Sequence, residues 1–457
     1  MRVAVLALAV AAAMAAMAGA EPLVLDATAM RQLADKAIDA GFGADALRIV
    51  DALLLRDPAD ATALILRSQA LRLLGRYDEA ETSARAAYAA ADSDPGHFGA
   101  AMVLAQALSL QDRRIEAQLW LRRAAQEAPN DRLRAMAERD FDLVRAATPL
   151  TLSFALSLTP SSNVNNGARD PVFELPGGYI CPIGCLGEAT GAALALSGLQ
   201  GTVGAGAQYR WHDSQTAQGA VSATVSHGFV VLSPEAKTLA PASKAGDFAV
   251  TSLDFGLSES RFSTGSGAIT KVTLNAGRVW YGGTALSDYA AAELSLTLPV
   301  SQSLTLNGAV SRQVQASAVS GDLSGRLSDG RFGAQLRLAG GDVIGAEMSV
   351  GMTEAPSAFS ENQRQSVSLR WQAGQPVWGL GLSAEMRLSA LRYDTSLYSF
   401  DGRQDLGANL SLSAEVEALD YMGFVPVITF GADRNWSDIG LYDSQTFGVG
   451  IGVTSKF

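Results

Sequence analysis

Apolar residues alternate with small or polar residues along most of the chain from residue 150 onward. Leu253, Phe255 and Leu257 alternate with serine, aspartate and glycine, and Leu294 and Leu296 do the same with serine and threonine. Successive side chains of a β-strand point to opposite faces, so a period of two produces one apolar face and one polar face. The apolar face is covered by a second sheet in a soluble sandwich, or by lipid in a membrane barrel with a polar lumen.

The alternating runs predict fourteen strands. They lie at about 150–158, 192–211, 218–230, 248–260, 268–279, 288–298, 302–312, 327–339, 342–353, 364–373, 377–392, 404–417, 424–434 and 446–457. Single-chain outer-membrane barrels have an even number of strands. The connections after even-numbered strands are short, as at Gly340-Gly341 and Gly374-Gln375-Pro376, and those after odd-numbered strands are longer, up to 160–190. This order matches the short periplasmic turns and long external loops of such barrels.

Residues 26 to about 147 have apolar positions at helical spacing instead. Similarity at a period of 34 residues, the length of a tetratricopeptide repeat, predicts a stack of helix pairs. In the clearest repeat, Gly75 permits a tight turn, Tyr77 packs across the helix pair, and the small Ala80 lets the two helices approach closely. A generic stack of helical hairpins is the alternative.

Alanine recurs near the repeat distance. Ala46 lies 34 residues before Ala80, and Ala117 lies 37 residues after it. We therefore predict three repeats followed by a capping helix, at about 27–60, 61–97, 98–130 and 131–147. Such a stack forms a concave groove that binds extended peptide segments, although the helices can also serve only as a spacer.

Residues 1–20 have the pattern of a secretory signal peptide, in which an apolar run is followed by Ala18-Gly19-Ala20 at the expected cleavage site. A retained membrane anchor is the alternative. Thr148-Pro149 marks the next boundary, because proline biases its predecessor towards extended geometry. We expect a signal peptide at 1–20, a periplasmic tetratricopeptide domain at 21–147 and an outer-membrane β-barrel at 148–457.

Composition narrows the class of partner. The 457-residue chain has a formal net charge of −11 and 45 glycines, and its charges form no basic patch. Nucleic acid is therefore not an expected partner. The slightly positive mean hydropathy of +0.13 suits membrane strands, in which alternation dilutes the apolar residues.

The chain has two cysteines and three histidines. Cys181 and Cys185 are predicted to form a disulfide in an oxidising compartment, with free thiols as the alternative. His97, His212 and His227 lie far from them in sequence, so no metal site is expected. Neither His212 nor His227 stands near a recognisable nucleophile, and the G-x-S-x-G and glycine-rich phosphate motifs are absent. We expect no enzyme activity and no cofactor.

Aromatic residues cluster near predicted strand ends, where interfacial girdles form. They are Tyr209, Trp211, Trp280, Tyr281, Trp371, Trp378, Tyr393, Trp436 and Tyr442. The last predicted strand alternates from Phe447 and ends in the aromatic Phe457. This resembles the signal that the outer-membrane insertion machinery recognises, so we expect Phe457 to act as an insertion signal.

Four short motifs follow one another along the predicted barrel. They are Pro160-Ser161-Ser162-Asn163-Val164-Asn165-Asn166, Arg403-Gln404-Asp405, Gly423-Phe424-Val425-Pro426 and Arg434-Asn435-Trp436-Ser437-Asp438-Ile439-Gly440-Leu441-Tyr442. Together with the helical repeats and Phe457, their order resembles the surface lipoprotein assembly modulators (Slam; type XI secretion), which pair a tetratricopeptide domain with a fourteen-stranded barrel. The Cys-Pro-Ile-Gly-Cys loop departs from the pattern of that family.

The resemblance implies export of a dedicated protein cargo across the outer membrane, either a lipoprotein or a soluble haem- or metal-acquisition protein. The helical domain would engage cargo or periplasmic chaperones, and the barrel would provide the passage. Two other functions remain open. An exopolysaccharide exporter also joins tetratricopeptide helices to a barrel, usually with more repeats and more strands. A passive porin explains the strands but leaves the helical domain without a purpose.

The motif residues also have structural interpretations. Asn163, Asn165 and Asn166 tolerate left-handed turns and can bond to the backbone, so they can shape the exit from the first strand. Arg403 and Asp405 share one strand face and are predicted to form an ion pair in the lumen. Arg434 and Ser437 are predicted to flank the turn before the last strand. Direct contact with cargo is the alternative for all of these residues.

Overall fold

The computed structural model describes residues 25–317, 319 and 324–455. The predicted signal peptide and Phe457 lie outside these residues. The chain forms two compact units that divide between Thr148 and Pro149.

Seven α-helices form the described part of the first unit. They are α1 (Ala27–Asp39), α2 (Gly43–Arg56), α3 (Ala61–Leu73), α4 (Tyr77–Ala90), α5 (Asp94–Leu110), α6 (Arg114–Glu127) and α7 (Asp131–Ala147). Asp26 and Asp60 cap α1 and α3, each accepting a hydrogen bond from the backbone N–H three residues later, at 2.7 and 3.0 Å. Gly75 joins α3 to α4 with φ +73°, a conformation that favours glycine. Within the described residues, no helix is both long and apolar enough to cross a membrane.

Buried alanines bring the helices together. Ala46, Ala80 and Ala117 are fully buried near the starts of α2, α4 and α6. Ala80 packs with Leu71 of α3 and Ala107 of α5, where a larger side chain would separate the helices. The pairs α1–α2 and α3–α4 lie within the first two predicted repeats, α5–α6 begins at Asp94, four residues before the predicted third repeat, and α7 follows.

Fourteen antiparallel strands form a closed barrel in the second unit. They are β1 (Leu150–Ser161), β4 (Gly198–Asp213), β5 (Ala217–Leu232), β6 (Val250–Phe262), β7 (Ile269–Tyr281), β8 (Thr284–Pro299), β9 (Leu304–Ser317), β10 (Gly325–Arg337), β11 (Val343–Glu354), β12 (Asn362–Gln372), β13 (Leu380–Tyr393), β14 (Arg403–Val416), β15 (Phe424–Ser437) and β16 (Ser444–Ser455). Their order around the barrel follows the chain, and β1 closes it by pairing with both β4 and β16. A separate hairpin of β2 (Val172–Leu175) and β3 (Cys185–Glu188) lies in the connection 162–197.

Side chains alternate between the outside of the barrel and its lumen. In β11, Met348, Val350 and Met352 are exposed on the outside, whereas Ser349 and Gly351 point inward. The same outer face continues around the barrel, and Phe154 of β1 is 81% exposed. Apolar surface this extensive is stable only against an apolar surrounding, so the barrel spans a bilayer.

The two ends of the barrel differ in their connections. We call the end that carries 162–197 and 233–249 the long-loop end, and the end that carries 214–216 and 300–303 the short-turn end. A short helix, α8 (Pro234–Leu239), lies in the second long loop. The first residue of β1 and the last described residue of β16 both lie at the short-turn end, as an even number of antiparallel strands requires.

The predicted fold class, a tetratricopeptide-like helical unit followed by a fourteen-stranded antiparallel barrel, is confirmed. The predicted contrast in connection length is wrong at one odd-numbered strand. β7 and β8 join through Gly282 and Gly283 alone, at φ +58° and +78°. Two successive positive φ values match the right-handed twist of a tight hairpin, and glycine adopts them readily. The connection 373–379, between β12 and β13, is longer than the predicted short turn at 374–376.

Candidate functional site

A groove in the helical unit contains a cavity of about 300 Å³ between α3, α5, α6 and α7. Leu110 and Leu143 expose apolar surface there, and Arg72 and Asp140 bring charge to the same cavity. A pocket with apolar walls and a few polar groups is suited to binding a peptide side chain together with part of its backbone.

Two polar atoms on α3 are buried without a hydrogen-bond partner. They are Nε of Arg72 and the side-chain oxygen of Gln69. Burial lowers the pKa of Arg72, because the charged guanidinium loses hydration. Unpaired buried groups carry a free-energy cost that an incoming partner removes. Of the two residues, Arg72 lines the cavity, so its guanidinium can donate to a carboxylate or a peptide carbonyl of a ligand there.

The neighbouring helix pairs are tied together at Glu81. Its carboxylate accepts hydrogen bonds from Arg113 at 2.7 Å and from Gln111 at 3.1 Å, and the amide of Gln111 also donates to the carbonyl of Tyr77 at 3.2 Å. Burial acts to raise the pKa of Glu81, but hydrogen bonds from Arg85, Gln111 and Arg113 outweigh it and the pKa lies below its usual range. These bonds join α4 to the turn between α5 and α6, and so fix the curvature of the groove.

Ion pairs lie along the lumenal face of the barrel wall. Arg364 contacts Asp329 at 3.2 Å, and Glu385 lies 3.0 Å from Arg370 and 3.2 Å from Arg387. Arg331 of β10 also contacts Glu293 of β8. The lumenal wall from β8 to β13 is therefore highly polar, with its charges largely balanced in pairs.

Arg403 stacks between two tyrosine rings at the long-loop end. Its guanidinium carbon lies 3.9 Å from the ring centre of Tyr393 and 3.8 Å from that of Tyr442. Its Nε lies 3.1 Å from Oδ2 of Asp405, and the two side chains are only 14% and 6% exposed. Burial raises the pKa of Tyr442. The assignment of Tyr393 and Tyr442 to a lipid-facing girdle is therefore wrong, since both rings cover this arginine.

The asparagines that follow β1 bind backbone groups of their own loop. Asn163 is buried and bonds both the N–H and the carbonyl of Gly167, at 2.9 and 3.0 Å. Asn165 makes three bonds of 2.8 Å to backbone groups of segment 192–196. Asn166 has φ +52°. Pro160, which precedes them, lies within β1. In the structure these asparagines shape the loop, as their structural interpretation expects.

Arg434 and Ser437 both belong to β15, and Ser437 is its last residue. Arg434 forms two hydrogen bonds with the carboxylate of Asp443 and donates to the carbonyl of Ser444 at 3.1 Å. The hydroxyl of Ser437 accepts a bond from the N–H of Ile439 at 3.2 Å. Ser437 therefore borders the connection 438–443 before the last strand, as predicted, whereas the prediction is wrong for Arg434, which lies three residues inside the strand. Pro426, at the other end of β15, lies opposite a valine of β16.

Cys181 and Cys185 are joined by a disulfide next to β3. Within the loop that it closes, Ile183 is 97% exposed. Tyr179, just before the disulfide, meets Phe400 edge to face at 5.3 Å between ring centres. The loop therefore rests on the connection between β13 and β14.

Several of these features were not predicted from the sequence. The unpaired atoms of Gln69 and Arg72 and the lumenal ion pairs depend on which helices and strands become neighbours. Charged residues at lumen-facing positions of the alternating runs are the signal that would have indicated the ion pairs. His227 lies on the outer face of β5, where its Nδ1 is 2.9 Å from the hydroxyl of Thr251. Among the residues that the structure describes, no cluster of three or more His, Cys, Asp or Glu side chains is placed to hold a metal.

No family model and no curated protein sequence matches the chain. Among the solved structures that resemble parts of the chain are SycD, OccAB3 and CdiB. SycD, a type III secretion translocator chaperone of Yersinia enterocolitica, matches at 18% identity with a TM-score of 0.24, over 27% of this chain and 88% of its own. OccAB3 of Acinetobacter baumannii matches at 10% identity with a TM-score of 0.34, over 67% and 99%. CdiB from Acinetobacter baumannii matches at 13% identity with a TM-score of 0.35, over 66% and 60%. These resemblances concern the fold alone.

Proposed function

We propose that this protein exports a dedicated protein cargo across the outer membrane. The cargo is a surface lipoprotein or a secreted haem- or metal-acquisition protein. In this proposal the helical unit lies in the periplasm, where it engages the cargo or its chaperone, and the long-loop end faces outward. The observation that carries the proposal is the presence, in one chain, of a helical groove with unpaired polar groups and a closed barrel with a polar lumen.

The groove supports a protein partner over a passive role. Arg72, whose buried Nε lacks a hydrogen-bond partner, lines a cavity that also exposes Leu110 and Leu143. A spacer needs neither an unpaired guanidinium nor apolar side chains that face water, whereas an extended peptide satisfies both. A passive porin leaves this surface without a ligand.

The lumen supports a path for a polypeptide. Its charges occur as arginine–carboxylate pairs, for example Arg364–Asp329 and Arg370–Glu385, so neither sign predominates along that wall. A polypeptide of mixed charge meets no strong barrier there. The alternative function, export of an exopolysaccharide, is favoured by acidic or aromatic tracks in a lumen. The proposed role needs no catalytic group and no cofactor.

The test is surface display of a candidate cargo. The protein is co-expressed with the product of its neighbouring gene, and protease accessibility on whole cells reports how much of that product is displayed. We expect display with the full-length protein. Deletion of 26–147 should leave a barrel that inserts, as heat-modifiable migration on gels would show, but that no longer displays the cargo, because the groove is missing.

A single substitution sharpens this test. Leu143→Arg places a charge inside the groove and should reduce display several-fold. Leu55→Arg, on an exposed face of α2 outside the cavity, is the matched control and should leave display unchanged. Full display by both the deletion and Leu143→Arg would contradict a role for the groove, and would favour the helices as a spacer.

A further inference from the structure

The strand ladder that closes the barrel is incomplete. On one side, every residue of β1 from Leu150 to Ser161 has a partner in β4. On the other side, the register places residues 154–161 of β1 opposite 455–448 of β16, while positions opposite 150–153 lie outside the described residues. Within 154–161 only three pairs form: Ser157–Gly452, Leu158–Ile451 and Ser161–Gly448. We call the contact between β1 and β16 the seam. It is the most weakly paired junction between neighbouring strands in the described part of the barrel.

The residue types at the seam account for its weak pairing. The register places Pro160 opposite Val449, and proline has no N–H to donate to the ladder. The lumen-facing residues of β16 here are Gly448, Gly450 and Gly452, which have no side chain to pack against β1. A Cβ on Gly448 would clash with the carbonyl of Pro160, so the close approach of the backbones depends on glycine. On the lumenal side Thr159 lies against Gly448 and Gly450, and just past Ser161 the N–H of Ser162 donates to the carbonyl of Phe447 at 3.1 Å. Apart from these contacts, the described residues of the seam have few backbone pairs.

Elsewhere in the barrel wall, neighbouring strands are joined by longer ladders, and some also by ion pairs. On the lumenal face, β12 and β13 are joined by the ion pair of Arg370 with Glu385 at 3.0 Å, in addition to a ladder that pairs ten residues of each strand. At the seam, the lumen-facing residues of β1 include Ser153, Ala155 and Ser157, which are small and uncharged. Among the described residues, no ion pair joins β1 to β16 across the seam.

The outer face of the seam is apolar. Phe154 and Leu156 of β1 and Ile451 of β16 are exposed beside it. At the long-loop end, by contrast, Arg403 stacks with Tyr393 and Tyr442. An opening at the seam would connect the polar lumen directly with the lipid, and would bypass that end.

We infer that the barrel opens sideways at the seam, and that a lipid-anchored cargo leaves the lumen there with its acyl chains entering the bilayer. The destination of the cargo rests on the proposed export function. Opening of the seam is a property of the barrel itself. Acyl chains that move directly into lipid avoid exposure to water, which is the physical advantage of this route.

Hydrogen exchange tests the opening without any cargo. The full-length protein is placed in lipid nanodiscs, and deuterium uptake is measured by mass spectrometry. We expect the amides of 154–161 and 448–455 that point to the seam to exchange about tenfold faster than the amides of 362–372 and 380–393, since ladder bonds that open locally lose protection. The amides of β1 and β16 that bond β4 and β15 should remain protected. Equal protection of the two strand pairs would overturn the inference.

A reversible lock tests the route. Ser157→Cys with Gly452→Cys places two thiols across the seam, and Ser366→Cys with Ser389→Cys places two thiols across β12–β13, also at partner positions facing the lumen. Both are made in a Cys181→Ser, Cys185→Ser background with confirmed insertion. Oxidation of the seam pair should slow exchange there and reduce display of an acylated co-expressed lipoprotein at least tenfold, and a reductant should restore it. Oxidation of the control pair should change neither.

The outcomes separate the two proposals. Undiminished display with a locked seam would overturn sideways exit and would leave export through the lumen standing. Absence of display by the unlocked protein would count against the export function, and the exchange measurement would still decide whether the seam opens. A lock that abolishes display equally for the lipoprotein and for a variant without its acylated cysteine would overturn the specific route for acyl chains.

Discussion

Arg403 is the most constrained charged residue of the barrel mouth. It lies between two tyrosine rings at less than 4 Å and beside the buried Asp405. A buried carboxylate that loses its cation keeps the cost of desolvation without the compensating attraction. The arginine therefore stabilises the fold mainly by compensating the buried charge of Asp405. Its stacking on Tyr442 also holds the loop that carries Tyr442 against β13 and β14.

Replacing this arginine should destabilise the barrel. We expect Arg403→Gln to lower the free energy of unfolding by roughly 3 kcal/mol, since it leaves Asp405 unpaired. Arg392→Gln is the matched control, because Arg392 pairs with Asp394 on the exposed surface of the same region and such pairs contribute little. The measurement is urea unfolding in detergent, followed by tryptophan fluorescence. Similar losses for both variants would show that the stack has no special role.

At the scale of elements, Glu81 links one helix pair to the next. It is mostly buried and bonds to the turn between α5 and α6, whereas Glu79 in the same helix contacts only Arg76 on the surface. Bonds within one helical turn do not constrain neighbouring helices. The curvature of the groove therefore depends on Glu81 and is nearly independent of Glu79.

The pKa of Glu81 makes this link sensitive to pH. Because its folded-state pKa is depressed, its contribution is present above the unfolded value of about 4.3 and is lost as pH falls through the lower folded value. We expect Glu81→Gln to cost about 1 kcal/mol at pH 7 and to flatten the fall in stability below about pH 4.3. Circular dichroism at 222 nm during urea titration of the full chain provides the measurement.

Glu79→Gln is the control for this experiment. The hydrogen bond from Arg76 also lowers the pKa of Glu79, but the pair is exposed and solvent screens it. We expect no measurable change in stability at pH 7. A larger loss for Glu79→Gln than for Glu81→Gln would contradict the role of Glu81 as the link between repeats.

At the scale of the whole molecule, the barrel has an apolar outside and a polar inside, the reverse of a soluble protein. Met348 and Ser349 are neighbours near the middle of β11 and point to opposite faces. A charge on the outer face would enter lipid, and a charge on the inner face would enter water. Adjacent residues therefore differ sharply in what they tolerate.

This contrast predicts opposite outcomes for one substitution at two positions. Met348→Arg should destabilise the inserted barrel by roughly 2–4 kcal/mol and lower its level in the membrane, whereas Ser349→Arg should be tolerated. Heat-modifiable migration in membrane fractions measures the inserted amount. Tolerance at Met348 and loss at Ser349 would mean that the outer face is not in lipid.

The periodicity of the sequence determined much of this protein. A period of two predicted the strands and assigned Met348 and Ser349 to opposite faces, and a period of 34 residues placed Ala46 and Ala80 in the cores of successive repeats. These properties follow from local geometry, because the direction of a side chain depends on its own position in a helix or strand. The pairing of Arg403 with Asp405 was predictable for the same reason, since they are two residues apart on one strand.

Only the tertiary structure decided which distant residues meet. The stack of Tyr393 and Tyr442 on Arg403, the unpaired Arg72 in the groove and the incomplete seam at Pro160 all depend on register and on contacts between separate elements. Periodicity carries no information on register beyond the choice of face, because shifting a strand by two residues preserves every inside and outside position. Closure of the chain into a barrel selected one register, and with it these contacts.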